Sequence, residues 1–348
     1  MARIKHREYD YIFASDVHIG ERKDLNVPTA SGLNSRLLEG ISIVDQIGEL
    51  AKKYKVRNIF ILGDIFDLKD RIPARIMILF AEAVAKFPCP LIILKGNHDY
   101  AEDDYAPIKL LKREGKLSLI DAPNIYNDIV FLPYYRKYEE FRQKWIELHK
   151  EMKMKQKIRL FLFHNTVPGA KFANNRKAEG EFDLPTMGGV RYLAGDIHLP
   201  QNVGPIKYLG SPYQVDFGEE GQDKFVYLYK VSEDTLVPVE LNYPKFVSID
   251  VNSQKVLGGI EGNYVRMIGE VLKEDKERIE NIKKNIQEMN PKFVISAVKY
   301  RADKKARIVT AKDDHQAVLS EFLGQSETEL DKQRLLEVGL DLIKEVQS

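Results

Sequence analysis

The chain has 348 residues, and its 53 basic and 52 acidic residues leave a net charge of only +1, which excludes a nucleic-acid binder that depends on overall positive charge. The single cysteine, Cys89, excludes an internal disulfide and fits a reducing compartment. Because the sequence has neither a signal-peptide-like N-terminus nor a run of about 18–20 apolar residues, we expect a cytoplasmic protein (host cytoplasm if viral) that binds no membrane.

Strand-like apolar runs alternate with amphipathic segments between residues 10 and 205. The runs are YIFAS, VRNIFIL, PLIILK, IRLFLF and VRYLA, and the helical segments are Leu37–Lys53, Ala74–Lys86 and Tyr138–Lys155. This alternation predicts an α/β layered fold. Three short runs between Ile206 and Leu241, KYLG, KFVYLYKV and LVPVEL, are expected to close a second sheet.

The pattern changes after Pro244, and the length of the chain predicts more than one domain. Two strand-like runs, a charged helix and a further run, KFVISAVKYR, predict a small α+β domain. Two short amphipathic helices follow, separated by GQSETELD. We therefore expect a main domain over residues 1–243, a small α+β domain over residues 244–312 and a helical tail over residues 313–348.

Each of the five runs in the main domain is followed directly by a short polar motif. The motifs are Asp16-Val17-His18, Gly63-Asp64-Ile65-Phe66-Asp67, Gly96-Asn97-His98-Asp99, His164-Asn165 and Gly195-Asp196-Ile197-His198. Ligands of open α/β sheets bind beyond the carboxyl ends of the strands, so these loops should converge. Oxygen and imidazole ligands without thiolate suit Mn²⁺, Fe²⁺ or Zn²⁺. The motifs therefore predict a metal-dependent hydrolase.

The motif residues suggest how two cations about 3.5–4 Å apart would be held. Asp64 leads a Gly-Asp turn after the central run and is the natural carboxylate to bridge them. Asp16 and His18, two residues apart on an extended loop, face the same way and can bind one ion together. The other donors are an amide oxygen and two imidazoles, from Asn97, His164 and His198.

Other polar residues lie outside this set of metal ligands. His98 should lie just outside the metal shell, oriented by Asp99, where it could protonate a leaving oxygen. Asp67 has two equally good interpretations, as a neighbour of the metal ligands or as a cap of the following segment. His149 belongs to no motif and is expected at the surface.

The order of the D-x-H, GDxxD, GNHD, H and G-x-H motifs resembles that of the calcineurin-like metallophosphoesterases. Within them, the segment GSPYQVDFGEE, residues 210–220, looks like the SbcD-type DNA repair nucleases. These include phage recombination endonuclease subunits. The resemblance implies a two-sheet α/β/β/α sandwich with a small α+β capping domain and a C-terminal helical tail.

The resemblance also implies a site with two Mn²⁺ ions, or Mg²⁺ or another divalent ion in their place. The first ion would be held by Asp16, His18, Asp64 and His198, and the second by Asp64, Asn97 and His164. One residue departs from the family pattern, because Asp196 stands where the family usually has the first histidine of G-H-x-H. Either Asp196 completes the second site and favours harder cations, or water takes that position.

The activity implied by the resemblance is 3′-to-5′ exonuclease on duplex DNA and endonuclease on single strands, in double-strand break processing and recombination. The partners implied are DNA, an SMC-like ATPase of the SbcC type, and a second copy in a homodimer. The dimer surface would lie near Ile72–Phe80 or Tyr105–Leu111. The alternative is a free-standing phosphodiesterase or phosphatase for small nucleotides, but a domain and a tail added to a complete core favour a large substrate and a partner.

Two surfaces are candidates for these partners. Residues 299–312 are basic, and the side chains that could contact DNA phosphates are Lys299, Arg301, Lys304, Lys305 and Arg307. The alternative is a solvated charged face. The apolar faces of the tail helices, which could bind the ATPase or dock on the chain itself, include Phe322, Leu336, Leu340 and Ile343.

Overall fold

The computed structural model describes residues 7–23, 25–27, 29–69, 71–99, 107–111, 116–155, 157–173, 176–253, 259–301, 315–325, 328 and 330–347. These residues form two compact units. The first contains the described residues up to Gly269 together with Glu280–Ala297, and the second contains Glu270–Ile279 and the described residues from Val298 onward. The division into domains at residues 243 and 312 stays a prediction.

The secondary structure follows the apolar runs. The strands are β1 (Tyr11–Ala14), β2 (Asn58–Leu62), β3 (Leu91–Leu94), β4 (Leu117–Ile120), β5 (Asn124–Tyr126), β6 (Ile129–Leu132), β7 (Leu160–His164), β8 (Arg191–Gly195), β9 (Gln201–Val203), β10 (Ile206–Tyr208), β11 (Val226–Lys230), β12 (Thr235–Val239), β13 (Phe246–Asp250), β14 (Tyr264–Leu272) and β15 (Phe293–Arg301). The helices are α1 (Ser35–Tyr54), α2 (Ala74–Ala85), α3 (Tyr138–Met152), α4 (Lys276–Glu288), α5 (His315–Gln325) and α6 (Lys332–Gln347). Short 3₁₀ turns occur at Pro107–Leu111, Phe217–Glu219 and Lys273–Asp275.

Two six-stranded sheets form the main body of the first unit. The first sheet has the order β12-β11-β1-β2-β3-β4, with β1 to β4 parallel and the other two strands antiparallel to their neighbours. The second has the order β5-β6-β7-β8-β10-β9. The expectation that all strands between residues 206 and 241 close the second sheet is wrong for β11 and β12. Strand patterns do not encode which sheet edge a strand joins.

Apolar side chains on both faces of the central strands fix the layering. Between the sheets lie Phe13, Phe60, Phe131, Leu162 and Leu193. Helices α1 and α2 cover the outer face of the first sheet, and α3 covers that of the second. The α/β/β/α layering confirms the predicted fold class. Asn34 caps α1 by accepting a hydrogen bond of 2.9 Å from the backbone N–H of Arg36.

The core beneath α3 contains a histidine that was expected at the surface. His149 is only 3% exposed. Its ring stacks on Trp145 with the centroids 5.1 Å apart, and its Nε2 lies 2.9 Å from the Tyr192 hydroxyl. The surface expectation is therefore wrong, because hydrogen-bond partners and aromatic neighbours allow this imidazole to be buried.

The remaining elements follow the predicted β-β-α-β order and helical tail. A three-stranded sheet has the order β13-β14-β15, with β13 and β14 parallel, and α4 connects β14 to β15. In the second unit α5 and α6 pack together, and a Cβ atom on Gly339 would lie 3.3 Å from Leu319 Cδ1. Within the described part of the chain, no helix has both the length and the apolar character needed to cross a bilayer.

Candidate metal centre

The loops after β1, β2, β3, β7 and β8 meet at one edge of the two sheets and bring all five motifs together. The backbone N–H groups of Asp16 and His18 donate hydrogen bonds of 3.0 Å to the carbonyls of Gly63 and Asp64. The backbone N–H of Asp196 donates to Asp16 Oδ1 at 3.1 Å. Loops from both sheets are thereby joined into one rigid frame.

Four motif residues of this frame have a left-handed backbone conformation. Left-handed φ angles of +53°, +48°, +55° and +86° occur at Asp16, His18, Asp64 and Asp196. Such angles are uncommon for residues other than glycine and persist only where the surroundings enforce them. Close approach also requires Gly96, because a Cβ atom there would lie 2.3 Å from Asp64 Oδ1. The frame therefore turns specific side chains toward one point.

The Asp64 carboxylate lies between two groups of possible ligands. Its Oδ2 is 3.6 Å from His18 Nε2, and its Oδ1 is 3.6 Å from His164 Nε2. Ligand atoms within 4.8 Å of one another come from Asp16, His18 and His198 on one side, and from Asp16, Asp64 and His164 on the other. This two-sided arrangement suits a carboxylate that bridges two cations.

Asn97 and Asp196 lie on the His164 side of the cluster. The Asn97 amide atom that faces Asp64 is 2.8 Å from Oδ2 of that residue and 2.9 Å from His164 Nε2. Asp196 Oδ1 is 3.7 Å from the same nitrogen, and Asp196 Oδ2 accepts a hydrogen bond from the Thr166 hydroxyl. The second predicted ligand set is therefore gathered in one place, with Asp196 beside it.

The imidazoles present the nitrogen that a cation needs. His164 Nδ1 donates to the Leu62 carbonyl at 2.6 Å, and His198 Nδ1 donates to Glu219 Oε1 at 2.6 Å. Their Nε2 atoms consequently face the cluster, which is the usual arrangement of metal-binding histidines. His198 Nε2 lies 2.9 Å from His18 Nε2, so two ligand nitrogens converge on one position.

The charges of the site also fit divalent cations. Burial raises the pKa of Asp16 to about 6, since an enclosed carboxylate lacks solvent to stabilise its charge. Burial opposes charge on His164 too, but the carboxylates of Asp64, Asp16 and Asp196 raise its pKa well above the usual value. Such a concentration of buried acceptors needs positive charge. The residues present therefore fit two divalent ions.

His98 lies in the wall of the cleft beside the cluster. Its backbone N–H donates to Asp64 Oδ1 at 2.7 Å, and its Nδ1 donates to the carbonyl of Asp67 at 2.7 Å. The ring meets that of His18 edge-on, with centroids 4.7 Å apart. The imidazole is thus held beside the ligands with its Nε2 unused by these contacts.

Asp99 does not orient His98 as expected. Its carboxylate is 2% exposed and accepts hydrogen bonds from three backbone N–H groups, those of Asp64, Gly96 and Ile65, at 2.8, 3.0 and 3.1 Å. Both carboxylate oxygens are occupied by the frame, and the backbone carbonyl of Asp67 holds the His98 ring instead. Asp99 therefore supports the loops that carry the ligands.

The Asp67 side chain lies next to a predicted metal ligand. Its Oδ1 is 3.7 Å from His18 Nδ1 and 3.1 Å from Arg22 Nη2. Of the two interpretations left open by the sequence, these contacts favour the neighbour of the metal ligands over the cap.

One supporting residue was missed by the sequence analysis. Glu219, which is 2% exposed, accepts from His198 through Oε1 and from Lys224 Nζ through Oε2, the latter at 2.9 Å. The segment at residues 210–220 contains it, but there it served only to recognise a family. The available signal was the acidic pair Glu219-Glu220 at the end of that segment.

Comparison with known proteins decides the family. Residues 10–200, more than half of the chain, match the sequence profile of the calcineurin-like phosphoesterases. The chain belongs to this family. Its members are metal-dependent hydrolases, so the chain is a metal-dependent hydrolase of the calcineurin-like phosphoesterase family. No curated protein matches the chain.

Two solved structures resemble this calcineurin-like phosphoesterase at low similarity. A novel archaeal phosphodiesterase is 9% identical, with a TM-score of 0.34 over 66% of this chain and 99% of the other. The nuclease MPE of Pseudomonas putida is 14% identical, with a TM-score of 0.29 over 66% of this chain and 87% of the other.

The cleft of the phosphoesterase has a volume of about 600 Å³. Its lining includes part of the ligand cluster together with a cation, an imidazole and an aromatic ring: His18, Asp64, Asn97, Asp196 and His198, and then Arg22, His98 and Phe172. Phe172 is 38% exposed. It lies in a short turn in which Lys171 and Lys177 form an antiparallel bridge and the Phe172 N–H donates to the Arg176 carbonyl at 2.9 Å. An aromatic ring flanked by basic residues therefore borders a polar cleft.

The predicted DNA-binding residues are placed only in part. Lys299 and Arg301 lie on the exposed end of β15, where Arg301 forms an ion pair with Glu270. Outside the described residues lie Lys304, Lys305 and Arg307.

The predicted partner-binding face of α6 is turned inward within its own unit. Leu336, Leu340 and Ile343 are half-buried and share a helical face with Gly339, which approaches α5. Among the described residues of the hairpin, exposed apolar side chains include Phe322, Val338 and Leu342, at 60%, 53% and 57%. Of the four predicted residues, Phe322 remains available to a partner.

Proposed function

We propose that the chain is a metal-dependent DNA nuclease subunit of the SbcD type. It would act as a 3′-to-5′ exonuclease on duplex DNA and an endonuclease on single strands, with an SMC-like ATPase, in recombination and double-strand break processing. The observation that carries the proposal is that residues 210–220 contact both the candidate metal centre and β13.

The contacts of this segment support the proposal. Glu219 binds His198 in the metal centre, whereas the next residue, Glu220, accepts from the backbone N–H and the hydroxyl of Ser248 in β13. Gln214 Oε1 accepts from the backbone N–H of Phe246 at 2.8 Å. One segment thus positions a metal ligand and holds an added sheet beside the core. A long substrate can use such an extension, and a small ester does not need it.

The two ions would be held by Asp16, His18, Asp64 and His198, and by Asp64, Asn97, His164 and Asp196. Bound Mn²⁺, or Mg²⁺, would activate a water molecule and neutralise charge on the phosphoryl oxygens. His98 donates a proton from Nε2 to the departing sugar oxygen, while its Nδ1–H stays on the Asp67 carbonyl. Arg22 offers a guanidinium to a phosphate in the same cleft.

The edge of the cleft supports a nucleotide substrate. A partly exposed Phe172 can stack on any base, which is worth about 1–3 kcal/mol per base in single-strand binding proteins. Lys171 and Lys177, beside it in the chain, can contact the backbone of the strand without regard to sequence. Base stacking and phosphate contact together describe a site for a polynucleotide.

An apolar groove on the first unit supports a homodimer. The groove has a volume of about 380 Å³ between α2 and the residues Leu110, Leu111, Lys116 and Leu117, with Ile78 56% exposed and Leu110 82% exposed. We propose that a second copy covers it, because a two-fold contact would bury the same apolar patch on both subunits. It lies at the two segments from which the resemblance expects dimerisation, although Tyr105 is outside the described residues.

The α5–α6 hairpin is the surface that we propose for the ATPase. Its exposed apolar side chains, Phe322, Val338 and Leu342, can pack on an amphipathic helix of a partner. Phe322→Asp combined with Leu342→Asp should abolish co-purification with an SMC-like ATPase and leave hydrolysis of a small phosphodiester unchanged. Retained co-purification would assign the ATPase to another surface.

The alternative is a free-standing phosphodiesterase or phosphatase for small nucleotides. The cleft volume of about 600 Å³ favours it, since pockets of this size commonly hold one small ligand. The metal cluster and His98 would serve both substrates equally, so only a substrate comparison separates them.

The deciding experiment compares linear duplex DNA, circular single-stranded DNA and bis(p-nitrophenyl) phosphate with Mn²⁺. Degradation of duplex DNA from 3′ ends and cleavage of the circle are expected, and Asp64→Asn should abolish both. Asp45→Asn is the matched control, because Asp45 is on the surface of α1 and pairs only with Lys86 among the contacts described. Turnover of the small ester with DNA left intact, even with the ATPase added, would favour the alternative.

His98→Ala gives a second, mechanistic test. It should slow DNA cleavage by about 10²–10⁴-fold, the usual contribution of a general acid. Hydrolysis of the nitrophenyl ester should change much less, because its leaving group departs without a proton. Equal losses on the two substrates would contradict the proton-donor role.

A further inference from the structure

A fully buried lysine lies behind the candidate metal centre. Lys224 is 0% exposed, and its Nζ faces Glu219 Oε2 at 2.9 Å, the His198 carbonyl at 2.8 Å, Ser211 Oγ at 2.8 Å and Gln222 Oε1 at 3.1 Å. A buried ammonium is costly unless it is paired and hydrogen-bonded, and here every N–H has an acceptor. The proposed reaction does not otherwise use this lysine.

The same network holds both oxygens of the Glu219 carboxylate. Oε1 accepts from His198 Nδ1 at 2.6 Å, and Oε2 accepts from Lys224 and, at 3.0 Å, from the backbone N–H of Val215. Lys224 also contacts the His198 backbone carbonyl. It therefore touches both ends of the Glu219–His198 pair, the carboxylate and the backbone of the histidine.

We propose that Lys224 and Glu219 are a positioning pair for His198. They hold its Nδ1–H in place and keep its Nε2 directed at the position shared with His18, and they thereby set the affinity of one of the two metal sites. The proposal rests on the metal-binding role proposed for His198 and is independent of whether the substrate is DNA.

The physical argument concerns the orientation of a ligand. A carboxylate that accepts the second N–H of a metal-binding histidine fixes its tautomer and ring angle, and losing it typically costs about 10–100-fold in metal affinity. Without Lys224, Glu219 Oε2 would keep the Val215 N–H and a weaker contact with the Ser211 hydroxyl at 3.4 Å. The carboxylate could then rotate and release the imidazole.

The test is calorimetric titration of the full-length, metal-free protein with Mn²⁺ alone. Lys224→Met and Glu219→Ala should each weaken one of the two binding events by about 10–100-fold and leave the other unchanged. Glu219→Gln should recover part of the loss, because its amide oxygen can still accept from His198. Lys207→Met is the matched control, since Lys207 lies in neighbouring β10 but contacts Tyr227 instead of Glu219.

Thermal unfolding of the variants in EDTA shows whether they still fold without metal. It therefore separates a positioning role from a merely structural one. The proposal expects the affinity loss in variants that still fold, and it is overturned if folded Glu219→Ala and Lys224→Met bind two Mn²⁺ ions as the wild type does. If Lys224→Met does not fold, the contrast between Glu219→Ala and Glu219→Gln decides. Failure of the wild type to bind Mn²⁺ would overturn the metal role of His198 and this proposal together, whereas failure to cut DNA would leave it standing.

Discussion

At the residue scale, the site separates side chains that would hold cations from side chains that hold the frame. Asp64 faces both ligand groups. In Asp99, two positions beyond Asn97, both carboxylate oxygens instead accept hydrogen bonds from backbone N–H groups. Both residues belong to short motifs that begin with glycine and follow a strand. Because the two carboxylates are oriented differently, they have different functions, and substituting Asp64 and substituting Asp99 should have different effects.

Asp99→Ala should lower the stability of the folded protein. Three buried backbone N–H groups would lose their acceptor, and we expect the free energy of unfolding to fall by about 2–4 kcal/mol. Urea unfolding in EDTA measures this without metal binding. Asp45→Ala, on the surface of α1, should stay within about 0.5 kcal/mol of the wild type. Unchanged stability in Asp99→Ala would contradict the framework role.

Asp196 should determine which divalent ion the metal centre prefers. Its carboxylate lies 3.7 Å from His164 Nε2 and is steadied by Thr166. Replacing it with the family's usual residue, Asp196→His, should strengthen Zn²⁺ relative to Mg²⁺, because imidazole is the softer ligand. Competition titrations with the two ions measure the ratio. Undiminished binding of two Mn²⁺ ions by Asp196→Ala would show instead that water takes the position.

At the scale of elements, we expect the turn that carries Phe172 to contribute to substrate binding and the strand ends to contribute the chemistry. The turn is held by the Lys171–Lys177 bridge and by Gln201, whose Oε1 accepts from the Lys171 N–H at 2.8 Å. These contacts hold the turn, and with it the aromatic ring of Phe172, at the edge of the cleft. This separation predicts that binding and chemistry can be altered independently.

Phe172→Ala should raise KM for DNA by about 5- to 100-fold, which corresponds to the loss of one stacking contact. The kcat on DNA and the hydrolysis of bis(p-nitrophenyl) phosphate should change little, because the ligand cluster is untouched. Phe172→Tyr, which keeps the ring, is the matched control. Steady-state kinetics on both substrates measures these effects. An unchanged KM for DNA would contradict the role of the turn in binding.

At the scale of the whole molecule, the two exposed apolar surfaces proposed to bind partners lie in separate compact units. The groove at Ile78 and Leu110 belongs to the first unit, and the α5–α6 hairpin belongs to the second. Dimerisation and ATPase binding should therefore be lost through different substitutions.

Ile78→Asp combined with Leu110→Asp should convert the dimer to a monomer. Charge placed in the apolar groove would remove the burial that drives association, while hydrolysis of the small ester should persist. Sedimentation velocity measures the state. Met154→Asp is the control, because Met154 is 80% exposed at a site apart from the groove. A double variant that remained dimeric would place the interface elsewhere.

The sequence by itself determined an α/β layered fold and the residues that converge at one edge of it, whereas the two-sheet α/β/β/α arrangement was implied by the family resemblance. Apolar runs buried on both faces must become central strands, and parallel neighbours bring the loops at their carboxyl ends to one edge. Asp16, Asp64, His164 and His198 follow such strands directly, so local order was enough to predict that they converge.

Only the tertiary structure decided contacts between residues distant in sequence. The joining of β11 to β1, the burial of His149, the framework role of Asp99 and the support of His198 by Glu219 and Lys224 all depend on such contacts. A strand does not encode its sheet edge, and a carboxylate does not encode which hydrogen-bond donors surround it. These outcomes depend on long-range packing, which neither residue type nor periodicity specifies.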